Sequence, residues 1–267
     1  MLFSKFLEQR KSIREYKEKQ VERNALIALE NYTIKINEKI GPDVKLVLIE
    51  DGKEFYGKLK GKGGYAGVMI KSPHYLGIMI NSENNDKVVD IGYHVEDIIT
   101  KASELGLGSC WIDLNNVSDD IKDYFRAEFN GTLNFAISLG YSNENKHLEP
   151  ISTSSRLAIE DIVYLDKWDN KIKIEDLEKV GLDKLFYYVR YAPSSLNRQP
   201  WRFILKKDRV ILTLLKPYSK ETLVDAGIMM YYFEKMINNI GFKGVWNKHI
   251  IVDSSQNDYI TIGEFKI

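Results

Sequence analysis

The run Arg10-Lys11-Ser12-Ile13-Arg14 places two guanidiniums and a hydroxyl close together in the chain. Fork-shaped guanidiniums and hydroxyl donors are the groups that hold a phosphate dianion in a partly dry cleft, at about 1.5–3 kcal/mol for each charge-assisted hydrogen bond. Read alone, Arg10 and Arg14 are better taken as two solvated charges at a helix entrance, and it is their company that changes the reading. Far along the chain stands Ala192-Pro193-Ser194-Ser195-Leu196-Asn197-Arg198-Gln199-Pro200-Trp201-Arg202-Phe203. There a proline stiffens the backbone, and small hydroxyl and amide groups donate and accept over a short reach, which suits close contact with a flat polar ring. Gln199-Pro200-Trp201 reads as structural, with Trp201 packed under the loop.

Other chemistry-bearing residues offer less. His74, His94, His147 and His249 are scattered without metal-ligand spacing, and the single cysteine, Cys110, lies in an apolar stretch where a small buried residue is the better reading than a nucleophile. No metal site is expected. Gly61 to Gly64, with Lys60 and Lys62, lack the Gly-Lys-Ser/Thr ending of a phosphate loop, and a flexible lid is the better reading. Tyr56, Tyr65, Tyr75 and Tyr93 could line a planar pocket, but in so tyrosine-rich a chain they are taken as core or surface. The 38 basic and 38 acidic residues among 267 balance, so no global field draws nucleic acid or an anionic membrane. One cysteine cannot form an internal disulfide, and the charged N-terminus and short aliphatic runs argue against a signal peptide or a membrane span. A cytoplasmic setting is expected.

The elements that must position these residues repeat. Val89-Asp90-Ile91-Gly92 matches Val224-Asp225-Ala226-Gly227 at an offset of 135 residues, and the offset continues through Gly106 and Gly241 to Trp111 and Trp246. Ile91, Val95, Ile98, Ala102 and Leu105 share one helical face, and the same offset lands on Ala226, Met230, Phe233, Ile237 and Ile240. Two core helices are expected, each capped by its glycine in a left-handed conformation. Upstream, Gly41-Pro42-Asp43 and Gln199-Pro200 each read as a turn entering a half-buried strand. Before that strand the first copy has Asn31 to Lys39 where the second has the Pro-Ser-Ser-Leu-Asn loop.

Together the Arg-Lys-Ser-Ile-Arg segment, the Ala-Pro-Ser-Ser-Leu-Asn-Arg-Gln-Pro-Trp block, Gly106 to Ile112, Phe135 to Tyr141 and Ser155 to Ile162 resemble the signatures of the FMN-dependent nitroreductase family. They are most similar to its single-chain, internally duplicated branch. The resemblance implies an α+β fold, with a mixed, largely antiparallel sheet flanked by helices in each half and the two halves packed as a pseudo-dimer. The expected halves are residues 1–166 and 167–267, the helices ending at Gly106 and Gly241 forming the interface between them. It further implies FMN as tightly bound cofactor, its phosphate, ribityl chain and pyrimidine edge contacted by Arg10, Lys11, Ser12 and Arg14, and its ring by Pro193, Ser194, Ser195 and Asn197. Arg156 resembles the family's C-terminal phosphate ligand; Lys146 and Ser152 to Ser155 are alternatives. A backbone amide at Asp113 or Leu114 is expected to face flavin N5, although glycine is frequent there in the family.

The activity implied is that of an oxidoreductase passing electrons from NAD(P)H to a small planar acceptor by a ping-pong scheme. The acceptor class (nitroaromatic, quinone, flavin or enoate) is not chosen by the resemblance. The alternative is an FMN-binding protein with a sensing, storage or non-reductive role. Complementary loss of the two motif sets implies one flavin site per chain, in a monomer that mimics the family's homodimer.

Overall fold

The offset found in the sequence reappears in the backbone. The computed structural model describes residues 3–82, 84–129, 131–143, 155–251 and 258–267. Along the chain come α1 (Phe3–Gln9), α2 (Arg23–Ile40), β1 (Val44–Ile49), α3 (Gly52–Leu59), β2 (His74–Ile80), α4 (Asn85–Glu104), β3 (Gly108–Asp113), α5 (Asp119–Phe129) and β4 (Thr132–Gly140). They are followed by α6 (Ile159–Ile162), β5 (Val163–Leu165), α7 (Ile174–Val180), α8 (Asp183–Val189), a 3-10 turn (Ser195–Asn197), β6 (Trp201–Leu205), β7 (Arg209–Leu215), α9 (Lys220–Asn239), β8 (Trp246–Ile251) and β9 (Tyr259–Lys266). The fold is α+β, as the motifs imply. Among the described residues no helix is long and apolar enough to cross a membrane.

The chain divides into two compact units. One comprises Met1–Arg10, Asn84–Glu96 and Ser152–Ile267; the other comprises Lys11–Glu83 and Asp97–Ile151. The second contains an antiparallel sheet in the order β1-β2-β4-β3. Its central strands β2 and β4 are buried almost throughout, so they read as continuous apolar runs, whereas edge strand β1 exposes Lys45. Phe55, Leu59, Tyr75, Ile112, Leu114 and Phe125 anchor its core. The first unit contains β6-β7-β9-β8, antiparallel in the same relative order, with β5 added parallel at the β6 edge. Phe186, Phe203, Phe233, Trp246 and Phe265 form its aromatic centre.

Helices α4 and α9 are both 20 residues long. Each starts at an N-cap 135 positions apart. Asn84 Oδ1 accepts the Asp86 N–H at 2.9 Å, while Ser219 and Thr222 exchange bonds in a capping box. Each also ends in the same two-bond cap, with glycine in the left-handed region at φ 77° for Gly106 and 103° for Gly241. Leu107 N–H donates to Ala102 O at 2.9 Å, and Phe242 N–H donates to Ile237 O at 3.2 Å. The apolar faces are buried through Ala102 and Ile237; Leu105 and Ile240, past the last helical residue, are only half-buried.

In the first unit the two helices touch through their glycines. A Cβ at Gly92 would lie 2.0 Å from Val224 O and 2.9 Å from Ile228 N, and one at Gly227 would lie 1.9 Å from Val89 O and 2.8 Å from Tyr93 N. Residues at one offset thus meet reciprocally, as across a two-fold axis. Only glycine allows backbones this close. Gly92→Ala and Gly227→Ala should each lower unfolding free energy by about 1–3 kcal/mol or more, through enforced separation of the helices. Gly57→Ala, at an exposed position of α3 with nothing within 4 Å of the added carbon, should raise it by about 0.5–1 kcal/mol. Urea unfolding of the three variants checks this, and small effects of one sign throughout would contradict the close contact.

Candidate functional site

Between α8 and β6 the chain makes a loop that its own local preferences oppose. Leu196, Asn197 and Gln199 all have positive φ, at 53°, 57° and 49°. Left-handed conformations at non-glycine residues cost roughly 1–3 kcal/mol each and persist only where the surroundings enforce them. The enforcement here is a dense set of hydrogen bonds. Ser195 N–H donates to Asp225 Oδ1 at 2.9 Å, and Gln199 N–H donates to Ser194 Oγ at 2.9 Å. Gln199 Oε1 accepts the Leu157 N–H at 2.9 Å, while Asn197 Nδ2 donates to Ser155 O at 2.9 Å. Buried Ala192 and Trp201 fix the two ends, as expected of Trp201.

Arg156 lies on this loop. Its guanidinium donates to Asn197 Oδ1 and, at 3.1 Å, to Tyr191 O, while its buried Nε has no partner among the described residues. Burial, and then the neighbouring Arg10 charge, pull its pKa below the usual arginine range. Arg10, whose side chain is 6% exposed, pairs with fully buried Glu96 at 3.0 Å, and Tyr232 donates its hydroxyl to the other Glu96 oxygen. Desolvation first, and the Glu96 charge second, hold the Tyr232 hydroxyl well above its ordinary pKa, so it remains a donor. Arg10, Arg156, Pro193, Ser194, Ser195 and Asn197 therefore all fall in the first unit.

The second unit holds the other sequence-predicted residues. Between α1 and α2 the chain forms no helix, so Arg14 stands at no helix entrance; buried Ile13 packs on Gly108 and donates its N–H to Ser109 O at 2.9 Å. Tyr16 OH donates to Ile13 O at 2.8 Å. This anchoring leaves Lys11 and Arg14 exposed and Ser12 half-buried. At the end of β3, Asp113 Oδ1 accepts from the Asn115 amide N–H and from Asn115 Nδ2, both at 2.8 Å, so its side chain closes a local turn. Leu114 N–H donates to Asn134 O at 2.9 Å. Gly64 N–H donates to Asp113 O at 2.9 Å, seating the glycine-rich turn, with exposed Tyr65 and Val68 at its tip, against β3.

Lys146 and Ser152 to Ser154 lie outside the described residues. Cys110 is buried, and among the described residues no group of His, Cys, Asp and Glu could hold a metal. His74 is a structural residue: its Nε2 accepts the Val21 N–H, its Nδ1 meets Glu50 O, and burial lowers its pKa. The sequence reading assigned no role to Glu96 or Asp225. The repeat held a signal for Asp225, because its counterpart Asp90 pairs instead with Lys248, which also donates to Asp86 O at 2.9 Å. One position thus supports a loop in one copy and an ion pair in the other.

A family model described as "Putative TM nitroreductase" matches residues 3–237. A solved Thermotoga maritima structure described as a "putative nitroreductase" aligns at 20% identity over 98% of this chain and 94% of its own, with a TM-score of 0.63. An FMN-dependent nitroreductase from Clostridium difficile R20291 aligns at 26% identity over 54% of this chain and 90% of its own, with a TM-score of 0.43. A Desulfovibrio desulfuricans structure described as a "putative nitroreductase in complex with fmn" aligns at 17% identity over 60% of this chain and 93% of its own, with a TM-score of 0.48. No curated protein matches the chain. The Thermotoga likeness agrees with the sheets and helices described above, and the family match takes in nearly every element that carries the motifs: the chain belongs to the nitroreductase family of that description.

Proposed function

We propose that this protein is an FMN-dependent oxidoreductase that takes electrons from NAD(P)H and delivers them to a small planar acceptor. The observation that carries the reading is the pair of buried cations in the first unit. The Arg10 charge adds to the cost of burying Arg156, whose Nε is buried without a partner among the described residues, while Arg10 itself is paired with Glu96. An anion with several acceptor oxygens, such as a phosphate monoester, relieves the cost at Arg156. The donor set therefore fits the phosphate of FMN.

When bound, FMN supplies the two-electron redox chemistry and serves donor and acceptor in turn, a ping-pong scheme. The chain's residues hold and orient it. Within the first unit Arg10 and Arg156 bind the phosphate; for Lys11, Ser12 and Arg14, in the second unit, a flavin contact is proposed from the family motif alone. Pro193, Ser194, Ser195 and Asn197 present a rigid polar edge to the ring, a task that suits a loop held in strained geometry before any ligand arrives. The family motif also proposes a backbone amide at Asp113 or Leu114 as the donor to N5, where negative charge grows on reduction. We further propose that the chain is an internally duplicated pseudo-dimer of halves 1–166 and 167–267, monomeric in solution. The equal lengths and caps of α4 and α9, their reciprocal glycine contact and the shared strand order support this.

Apoprotein should bind FMN far more tightly than riboflavin, and Arg156→Met should weaken FMN binding by about 10- to 150-fold while leaving riboflavin binding little changed. Flavin fluorescence titration reads both, and equal affinity for the two flavins would remove the phosphate role. The flavin-loaded protein should lose its yellow absorbance within seconds of anaerobic addition of NADH or NADPH and regain it on adding a quinone or nitroaromatic. A yellow protein indifferent to both nucleotides would leave binding without turnover as the function.

A further inference from the structure

Asp225 has no part in the chemistry proposed above, yet its position is unusual for a carboxyl group. It lies in the first turns of α9, 3% exposed, directly beneath the 3-10 turn of the strained loop. Its Oδ1 accepts the Ser195 N–H at 2.9 Å, and its buried Oδ2 has no hydrogen-bond partner among the described residues. The charges that face it are Glu221, one turn earlier on α9, and Arg198 from the loop; neither makes an ion pair with it.

A carboxylate so placed would be a buried charge with one hydrogen bond, a state that costs several kcal/mol and is relieved either by taking up a proton or by admitting water. Water can enter where the covering segment gives way. That segment is the loop whose Leu196, Asn197 and Gln199 already sit in left-handed conformations. A strained turn tied through Ser195 N–H to a group that is costly to bury charged is the material of a two-state element, closed over the neutral acid and loosened over the carboxylate.

We propose that Asp225 is a positioning residue acting as a neutral acid: with its proton in place it fixes the Ser195 amide and the left-handed turn in the form that receives the flavin ring, and loss of that proton releases the loop. The flavin part of this inference rests on the function proposed above, whereas the protonation part does not. Burial pushes the Asp225 carboxyl up to about 8; the Glu221 charge adds to the rise, and the Ser195 N–H and Arg198 oppose it. Because the folded-state value is raised, the folded chain holds this proton over the range in which the unfolded chain has lost it. The group's stabilising contribution is therefore full below about pH 4, declines as pH rises, and is gone above about pH 8.

The test compares wild type with Asp225→Asn, which keeps an oxygen for Ser195 N–H and cannot ionise, and Asp225→Ala, which removes the acceptor. Urea unfolding of apoprotein from pH 5 to pH 9 should show the Asn variant losing up to one proton's worth of pH slope between pH 5 and pH 8, and gaining stability relative to wild type toward pH 8. In FMN titrations the wild-type affinity should fall by about tenfold between pH 7 and pH 9, the Asn variant should hold steady, and the Ala variant should bind weakly at every pH. If wild type and the Asn variant share one unfolding slope, the neutral acid is refuted whatever the flavin does. If the slopes differ but the two share one FMN profile, the link to the loop is refuted. If neither protein binds FMN at all, the function proposed above fails, while a difference in unfolding slopes would still uphold the protonated acid.

Discussion

The contact at Gly92 and Gly227 constrains more of the first unit than any other. Two helix backbones approach until carbonyl oxygens occupy the space where side-chain carbons would be, so the helices have little freedom to slide or rotate against each other. That fixes where Asp225 and Tyr232 stand on α9, and where Glu96 stands on α4. The Glu96 carboxylate then accepts from both Arg10 and Tyr232, and Asp225 reaches the Ser195 amide. Buried polar groups of this kind are stable only when every partner arrives in register, and the glycine contact supplies the register.

A rigid helix pair also explains how the loop at Ser194 to Gln199 tolerates its backbone strain. Three left-handed residues would relax if the loop hung from flexible anchors. Instead it is tied to Asp225 below and to the segment Ser155 to Leu157 alongside. The same ties hold Arg156 against the loop, where desolvation and the Arg10 charge both act on its guanidinium. Backbone strain and a buried cation meet within one unit.

Much of this was legible in the residues. The 3.6-residue apolar spacing, the glycine caps and the turn-forming Gly-Pro and Gln-Pro pairs are local signals, and local signals placed α4, α9, β1 and β6. The Pro-Ser-Ser-Leu-Asn loop stood out through its resemblance to a family signature, whereas its bond to Arg156 joins residues 41 positions apart. What the sequence hid was long-range pairing. Nothing in Glu96 or Tyr232 announces a buried bond across 136 positions, and Asp225 looks like any acid in the first turns of a helix. The bond from the Leu114 amide was hidden for a related reason: which carbonyl a strand-end N–H meets depends on the neighbouring strand, here at Asn134, and the local sequence carries no trace of that register.

The central claim is that a duplicated chain keeps one working flavin site, its two motif sets having been lost in complementary fashion. The most direct test is to saturate the apoprotein with FMN, remove the excess, and measure flavin absorbance against protein mass on a column coupled to light scattering. One FMN for each chain, carried at the mass of a single chain of 30.9 kDa, is the predicted result. Two FMN for each chain, or flavin retained only at twice that mass, would contradict it.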